Sequence, residues 1–279
     1  MKPIQFDYFS PESLEQALSA FSSHGGSKWL AGGQSLGPML NLRLARPDAL
    51  IQLTGLEALT QVKEAAQSIT YGAMLRHAEF EDGKLPDITG NMLQHIASGI
   101  AYRAIRNRGT LGGSLAHADP AADWVNTMIV LDAQIHITGD KSHRSVAASE
   151  FMLAAFTTML TANEIITAVQ IPRLSESSRW GYAKFCRKAG ELSEATGSVV
   201  VDPVRGYARI VLGALDGAPV LLEDLAEILA QQGIDAALAH ADESVTPYVA
   251  SMPEHRRKIY AVIVKKALMQ IKGSHVHAN

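Results

Sequence analysis

Two glycine-rich segments of similar composition constrain this sequence more than any other feature. The first is Gly32-Gly33-Gln34-Ser35, and the second runs from Gly109 through Gly112 and Gly113 to Ser114. Glycine lets consecutive backbone N–H groups converge and lets a ligand approach the backbone closely. One Gly-Gly pair is an ordinary turn, but two pairs with neighbouring hydroxyl groups favour a ligand site. If the two turns meet in space, they form a two-sided N–H cradle for a pyrophosphate.

The segments around the first turn alternate between strand and helix patterns. The patterns predict strands at "PIQFDYF", "SKWLA" and "DALIQL", and a helix at "SPESLEQALSAFSSH" with Ser10 as N-cap and Pro11 at its first position. This alternation predicts an α/β start of the chain. Further strands are expected at "SITYGAML", "AQIHIT" and "EIITAVQIP". Further helices are expected at "GPMLNLRL", at "PDITGNMLQHIAS", and at "DPAADWVNTMIVL" with Asp119 as its cap.

A polar stretch, "PRLSESSRWG", predicts a domain boundary. We expect one domain over residues 1–174, with subdomains of about 1–54 and 55–174, and a second domain over residues 175–279. In the second domain, "WGYAKFCRK", "ATGSVVV" and "YARIVLGAL" predict strands, and "LLEDLAEILAQQG" and "PEHRRKIYAVIVKKALMQI" predict amphipathic helices. The final segment, "KGSHVHAN", is expected to fray. The chain as a whole is therefore predicted to have an α+β fold.

Charge and cysteine content exclude several classes of function. The formal net charge of −3 argues against nucleic-acid binding, and no apolar run reaches the ~20 residues of a membrane span. The start of the chain lacks a secretory signal pattern, so a cytoplasmic location is the default expectation. Cys186 is the only cysteine, so the chain supplies neither an internal disulfide nor the thiolates of an iron–sulfur cluster. His77, His95, His136 and His143 lack the spacing of metal ligands and are interpreted as structural.

Two long motifs carry a resemblance to a known family. "AGGQSLGPMLNLRLARPDALIQL" together with "IRNRGTLGGSLAHADPAADW" resembles the FAD-binding medium subunit of the molybdenum hydroxylases, such as carbon monoxide dehydrogenase and bacterial relatives of xanthine dehydrogenase. The resemblance implies a two-subdomain α/β FAD-binding domain of the vanillyl-alcohol-oxidase (PCMH) type, followed by a C-terminal α+β domain with a small antiparallel sheet. It also implies two partner chains, a large molybdopterin-binding subunit and a small subunit with 2Fe–2S clusters, assembled as a dimer of heterotrimers.

The same resemblance implies which residues hold the FAD. The first pyrophosphate turn would comprise Ala31, Gly32, Gly33, Gln34, Ser35 and Leu36, and the second Thr110, Leu111, Gly112, Gly113 and Ser114. His117 corresponds to a flavin-contacting residue of relatives, and Asp123 to an acidic residue that accepts a hydrogen bond from a sugar hydroxyl. Lys184 corresponds to a lysine near the polar edge of the flavin, where a cation stabilises charge on the reduced ring. No residue is assigned as catalytic or as a metal ligand.

Two positions depart from the family pattern. Glu191 and Leu192 stand where many relatives have an aspartate and then an aromatic or bulky residue. Leu192 therefore either covers the flavin or leaves it open to an acceptor. The chain also has no four-cysteine insert, which argues against the additional 4Fe–4S cluster of benzoyl-CoA-reducing relatives.

Three functions are compatible with these patterns. The resemblance implies an electron-transfer subunit, in which electrons from the 2Fe–2S clusters of a partner pass through FAD to NAD or another acceptor. An alternative is a self-contained FAD-dependent oxidase or reductase of the same superfold, but the sequence offers no clear acid or base to lie over the flavin. A third is a nucleotide-binding interaction module without enzymatic activity. The family places the molybdenum pocket on another chain, so this sequence does not name the organic substrate.

Overall fold

The order of strands and helices is mixed at the start of the chain and becomes strands followed by helices at its end. The structure is a computed structural model that describes residues 2–273. Its strands are β1 (Asp7–Phe9), β2 (Ser27–Leu30), β3 (Ala49–Gln52), β4 (Val62–Ala65), β5 (Ser68–Gly72), β6 (Gln134–Thr138), β7 (His143–Ala147), β8 (Met152–Ala154), β9 (Thr157–Thr158), β10 (Ile165–Pro172), β11 (Arg179–Phe185), β12 (Ala195–Asp202), β13 (Tyr207–Gly213) and β14 (Val220–Leu221). Its α-helices are α1 (Leu14–Ser23), α2 (Leu36–Asn41), α3 (His77–Glu81), α4 (Met92–Ser98), α5 (Arg103–Arg106), α6 (Leu111–His117), α7 (Asp123–Val130), α8 (Ala148–Phe151), α9 (Glu223–Gln232), α10 (Ile234–Val249) and α11 (Glu254–Gly273).

The first sheet is parallel, with its strands in the order β1-β3-β2. Ala49 of β3 pairs with Asp7 on one side and with Ser27 on the other, and α1 connects the two outer strands. Ala17 of α1 packs against Ile51 of β3, and both side chains are fully buried. The predicted α/β start of the chain is confirmed.

Helix α1 begins later than the sequence pattern predicts. Ser13 is its N-cap instead of Ser10, and the Ser13 hydroxyl accepts from the backbone N–H of Gln16 at 3.1 Å. The side chain of Gln16 accepts in return from the N–H of Glu12 at 3.0 Å. The S-x-x-Q spacing of Ser13 and Gln16 thus satisfies two N–H groups at the helix start, whereas Ser10 alone would satisfy one.

The second sheet is antiparallel, in the order β4-β5-β10-β6-β7. Strands β5, β6 and β10 confirm the strands predicted from the sequence. The pattern does not predict β4 and β7, because these edge strands carry mostly polar residues that are at least partly exposed. Helices α3, α4, α6 and α7 contribute to the core beside this sheet, in which Trp124, Tyr71 and Met92 are fully buried.

Helix α7 also begins later than predicted. Asp119, the expected cap, accepts from the N–H of Ala121 at 2.9 Å and closes a short turn before the helix. The N-cap position is Ala122, and every residue of the helix from Asp123 to Val130 is buried. Packing on all sides, rather than a capping side chain, therefore fixes where this helix starts.

The third sheet is antiparallel, in the order β11-β12-β13-β14; α9 and α11 pack on it, and α10 packs against these two helices. Val199 and Ile210 of the sheet are buried together with Val264 and Leu268 of α11. This arrangement confirms the three strands and two helices predicted here. Helix α10, with the sequence "IDAALAHADESVTPYV", is not among the helices predicted from the sequence. It contains Pro247, a residue that usually interrupts a helix.

The other face of the third sheet is continuous with the core of the second. Tyr182, Val200 and Val211 join the cluster that contains Trp124 and Met128. Side chains from both sides of the predicted boundary at residue 174 therefore share one core, and the division into two domains stays a prediction.

The C-terminal helix continues into the segment that the sequence predicts to fray. Lys272 belongs to α11, and residues 274–279 lie outside the described residues. Among the helices within residues 2–273, none combines the length and apolar character needed to cross a membrane.

Gly181 is expected to be essential for seating α11 on the third sheet. A methyl group at this position would collide with the carbonyl oxygen of Ala267 and lie 3.2 Å from the Cβ of Gln270. Gly181→Ala should therefore lower the free energy of unfolding by about 1–3 kcal/mol, as overpacked sites do. Gly217→Ala is the control, because a methyl group there meets nothing within 4 Å. Urea unfolding measures both, and equal midpoints for the two variants would contradict this packing.

Candidate cofactor site

Both glycine segments border one cavity of about 580 Å³. This size falls in the range of roughly 300–1,000 Å³ that is usual for small-molecule sites. The predicted residues on its wall are Ala31, Gly32, Gly33, Gln34, Ser35, Leu36, Thr110, Gly112, Gly113, Ser114, His117 and Asp123. Leu111 and Lys184 are the predicted residues that do not lie on this wall.

The first glycine segment leaves its backbone N–H groups available. It forms the loop between β2 and α2, and Gly33 has a φ of 72°, a left-handed conformation that favours glycine. Within residues 2–273, the N–H groups of residues 32–36 have no protein acceptor. Successive N–H groups in such a turn form a concave site for an anion.

The two segments touch through backbone atoms. A methyl group on Gly32 would collide with the carbonyl oxygen of Arg108 and lie 2.9 Å from the Cα of Gly109. A methyl group on Gly113 would lie 3.1 Å from the Cβ of Ala31. Glycine at 32 is therefore required for the turns to approach each other, and the predicted meeting of the two turns is found in the structure.

The second segment is the start of α6, and most of its backbone N–H groups donate to acceptors within the protein. Thr110 is the N-cap, and its hydroxyl accepts from the N–H of Gly113 at 3.1 Å. The N–H groups of Leu111 and Gly112 donate to carbonyl oxygens of Leu75 and Ala73, and the N–H of Ser114 donates to Thr110. Within residues 2–273, the N–H of Thr110 has no acceptor, so this side offers one backbone N–H beside its hydroxyl groups rather than a row of free N–H groups, and the two-sided cradle stays a prediction.

Two residues of the second segment serve packing. The Leu111 side chain is fully buried in the core. A methyl group on Gly112 would lie 2.5 Å from the Cβ of Ala73, so glycine there lets α6 approach the end of β5. Neither feature could be read from the sequence, because both depend on what lies behind the turn.

Asp123 lies on the cavity wall and is held by residues of the third sheet. Its Oδ1 accepts from the hydroxyl of Tyr182 and, at 2.9 Å, from the Nζ of Lys184. Lys184 also donates to the carbonyl oxygen of Gly99 at 2.8 Å. Burial and the nearby Asp123 raise the pKa of Tyr182 well above its usual range, so its hydroxyl stays a donor. Lys184 thus contacts the cavity through Asp123 rather than directly.

A loop between α4 and α5 forms another part of the wall. Ala101 has a φ of 43°, which is uncommon for a residue other than glycine. Arg106 donates to the carbonyl oxygens of Ile100 and Ala101 at 2.9 and 3.1 Å and pairs with Glu81. This guanidinium therefore fixes the loop.

The residues of the cavity wall differ in exposure. Glu191 and Leu192 lie on its wall at one place, and the Leu192 side chain is 64% exposed. Elsewhere the wall includes Phe21 and Trp29, whose rings stack at 4.1 Å, and the enclosed Nε1 of Trp29 has no hydrogen-bond partner within residues 2–273.

His77 is a wall residue that sequence reasoning assigned to ordinary structure. The Nε1 of Trp124 donates to its Nδ1 at 2.9 Å, and the imidazole is 5% exposed. Burial, together with the charge of Arg106, lowers the pKa of His77 to about 4. The sequence carried no signal for this role, because the partners of His77 are remote along the chain.

The chain has clear relatives among known proteins. A family model described as the FAD-binding domain in molybdopterin dehydrogenase matches residues 4–174. The nicotine 6-hydroxylase medium subunit of Paenarthrobacter nicotinovorans is 35% identical over 82% of this chain and 81% of its own. The carbon monoxide dehydrogenase medium chain of Afipia carboxidovorans is 31% identical over 98% of this chain and 99% of its own.

Solved structures agree with these relatives. A carbon monoxide dehydrogenase of Hydrogenophaga pseudoflava that lacks the Mo-pyranopterin moiety of its molybdenum cofactor matches with a TM-score of 0.88. That match has 27% identity and covers 98% of this chain and 99% of that chain. The chain belongs to the family of FAD-binding domains of molybdopterin dehydrogenases. The predicted family and fold class are confirmed, and the protein is an FAD-binding oxidoreductase subunit.

The cavity suits an FAD. The unpaired N–H groups of residues 32–36 match the acceptor oxygens of a pyrophosphate, and the Asp123 carboxylate matches a sugar hydroxyl. Within residues 2–273, no group of three or more His, Cys, Asp or Glu side chains is arranged to hold a metal ion.

His77 should make the stability of this region depend on pH. The pKa is 6.5 for an ordinary imidazole and about 4 in the fold, so the folded state resists protonation. The contribution of neutral His77 to the free energy of unfolding is then fully present above about pH 6.5. The free energy of unfolding falls by up to about 3 kcal/mol as the pH drops toward 4. This part of the pH dependence should be absent in His77→Asn. Urea unfolding of both proteins over that pH range tests this, and parallel profiles would count against it.

Proposed function

We propose that this chain is the FAD-carrying electron-transfer subunit of a multi-subunit molybdenum hydroxylase. The observation that carries the proposal is the β2–α2 loop, whose N–H groups at residues 32–36 have no acceptor within residues 2–273 and whose residues line a cavity of cofactor size. Membership of the FAD-binding family, and relatives that are medium subunits or chains, support the subunit role.

The chain depends on partners for its electrons. A single cysteine cannot ligate an iron–sulfur cluster, so the 2Fe–2S clusters belong to a small partner subunit and the molybdopterin to a large one. A dimer of such heterotrimers is the assembly we propose. The bound FAD supplies two-electron chemistry between those clusters and NAD or another acceptor.

Each part of the cavity wall has a distinct task. Residues 32–36 of the first turn hold the pyrophosphate by N–H donation, with the hydroxyls of Thr110 and Ser114 opposite them. Asp123 accepts from a sugar hydroxyl, and Tyr182 and Lys184 keep its carboxylate in place. Leu192 lies at the flavin end, where its exposed side chain limits the access of water and of an acceptor.

The apoprotein should bind FAD without a covalent bond, and Gly33 should matter for affinity. In the free Gly33→Ala variant the loop is expected to leave the left-handed conformation, and restoring that conformation on binding would cost about 1–2 kcal/mol, so FAD binding should weaken roughly 10-fold. Gly25→Ala is the control, because a methyl group there meets nothing within 4 Å. Titration followed by flavin fluorescence measures affinity, and acid release identifies the flavin. A protein that binds no FAD at saturating concentration would refute the proposed function.

The isolated FAD-loaded chain should not oxidise organic substrates. It lacks the cysteines for cluster ligation, so the substrate electrons have no path to the flavin within this chain. Anaerobic bleaching of the flavin absorption band by purines, N-heterocycles, aldehydes or CO should require the two partner subunits. An artificial electron donor serves as the control, because it needs only an accessible flavin. Rapid bleaching by an organic substrate with this chain alone would favour a self-contained oxidase instead.

A further inference from the structure

The hydrogen bond from Trp124 fixes the tautomer of the neutral His77 imidazole. An indole N–H only donates, so Nδ1 of His77, 2.9 Å from Nε1 of Trp124, must carry a lone pair. The proton of the neutral ring is therefore on Nε2. A second proton on Nδ1 would face the indole N–H, which adds to the cost of charging this buried ring.

The Nε2 edge faces the junction of the two glycine segments. A methyl group on Gly109 would lie 2.7 Å from Nε2 of His77, and Gly109 is the residue against which Gly32 packs. The backbone N–H of His77 also donates to the carbonyl oxygen of Gly109 at 2.9 Å. The imidazole edge is thus fixed at the point where the first turn and the start of α6 come together.

The Nε2–H group has no partner in the protein. Within residues 2–273, no hydrogen bond joins Nε2 to an acceptor, although the ring is 5% exposed and lies on the cavity wall. Within residues 2–273, Nε1 of Trp29 is the only side-chain polar atom that is both fully enclosed and without a hydrogen-bond partner. Nε2 of His77 is therefore not fully enclosed, and it is open to the cavity. This N–H is therefore free to donate to an acceptor on a molecule that fills the cavity.

The character of this donor suits an anion that the site must hold over a wide pH range. With its pKa near 4, the ring is neutral at physiological pH and offers one fixed N–H. The charge of the Arg106 guanidinium also opposes protonation of the ring, and this guanidinium is itself paired with Glu81. The donor therefore does not switch on or off as a histidine of ordinary pKa would.

We propose that Nε2–H of His77 donates a hydrogen bond to a pyrophosphate oxygen of FAD, and that Trp124 is a positioning residue that fixes the donor. This inference rests on the proposed function, since it requires FAD in the cavity. The binding site for the pyrophosphate then has two sources of donors, the loop of residues 32–36 and the imidazole beside Gly109.

Two substitutions of His77 separate its contacts. His77→Asn keeps an acceptor near the position of Nδ1 for Trp124 but has no donor at the position of Nε2. His77→Gln places an amide N–H near the position of Nε2. We expect the dissociation constant of FAD to rise about 10-fold or more in His77→Asn, as for loss of a hydrogen bond to a charged group, and to stay within about 3-fold of wild type in His77→Gln.

The choice of ligands identifies the part of FAD that His77 contacts. ADP-ribose contains the pyrophosphate but no flavin, and it should lose the same factor as FAD in His77→Asn. A loss for FAD without a loss for ADP-ribose would place the contact on the flavin and overturn the proposal. Unchanged affinity of His77→Asn for FAD would also overturn it, whereas a wild-type chain that binds no FAD would refute the proposed function itself.

A spectroscopic measurement tests the donor without relying on a variant of His77. In protein with 15N-labelled histidine, the His77 signals should show the Nε2–H form, and the Nε2 signal should shift when FAD is added. Trp124→Phe removes the indole donor, so the His77 signals should then move toward a mixture of the two tautomers and FAD affinity should fall. A wild-type His77 in the Nδ1–H form, or an Nε2 signal that FAD leaves unchanged, would contradict the inference.

Discussion

The close approach of two backbone segments is the constraint on which the cofactor site depends. Gly32, in the loop after β2, lies against the backbone of Arg108 and Gly109, just before α6. No side chain fits between them, so the loop after β2 and the segment before α6 meet through main-chain atoms at this point. The cavity is bordered by both segments because of this contact. The exposed N–H groups of the first segment, the hydroxyls of the second and the imidazole of His77 all take their positions from it.

The two glycine segments are similar in sequence but have different structural roles. In the first, Gly33 turns the chain so that the N–H groups of residues 32–36 are left for a ligand. In the second, glycine permits packing, since Gly112 lets α6 approach Ala73, and the N–H groups of residues 111–114 donate to acceptors within the protein. Affinity for an anion should therefore depend mainly on the first loop, whereas the second segment sets the distance across the cavity.

Local sequence patterns predicted most strands and helices correctly. Features that depend on contacts between residues far apart in the chain were not predicted. The family motifs and the strands of the second and third sheets that alternate or run apolar follow from residues close in the chain, whereas the meeting of the two glycine turns joins segments that are far apart in sequence. The cap of α1 was wrongly predicted at Ser10, although the S-x-x-Q spacing of Ser13 and Gln16 is a local signal that the sequence contains. The role of His77 depends on Trp124, far along the chain, and no periodicity reveals such a pair.

The third sheet contributes to the site although it contains neither glycine segment. Tyr182 and Lys184, which lie on alternate positions of β11, reach the same carboxylate oxygen of Asp123. Strand β11 is in turn bound to α11, where Gln270 exchanges two hydrogen bonds with the backbone of Tyr182. A chain of direct contacts thus connects the C-terminal helix with the cavity wall. Because Asp123 has its partners on this sheet, the orientation of its carboxylate depends on the C-terminal part of the chain, and a fragment that ended near residue 174 would leave that carboxylate without its two donors.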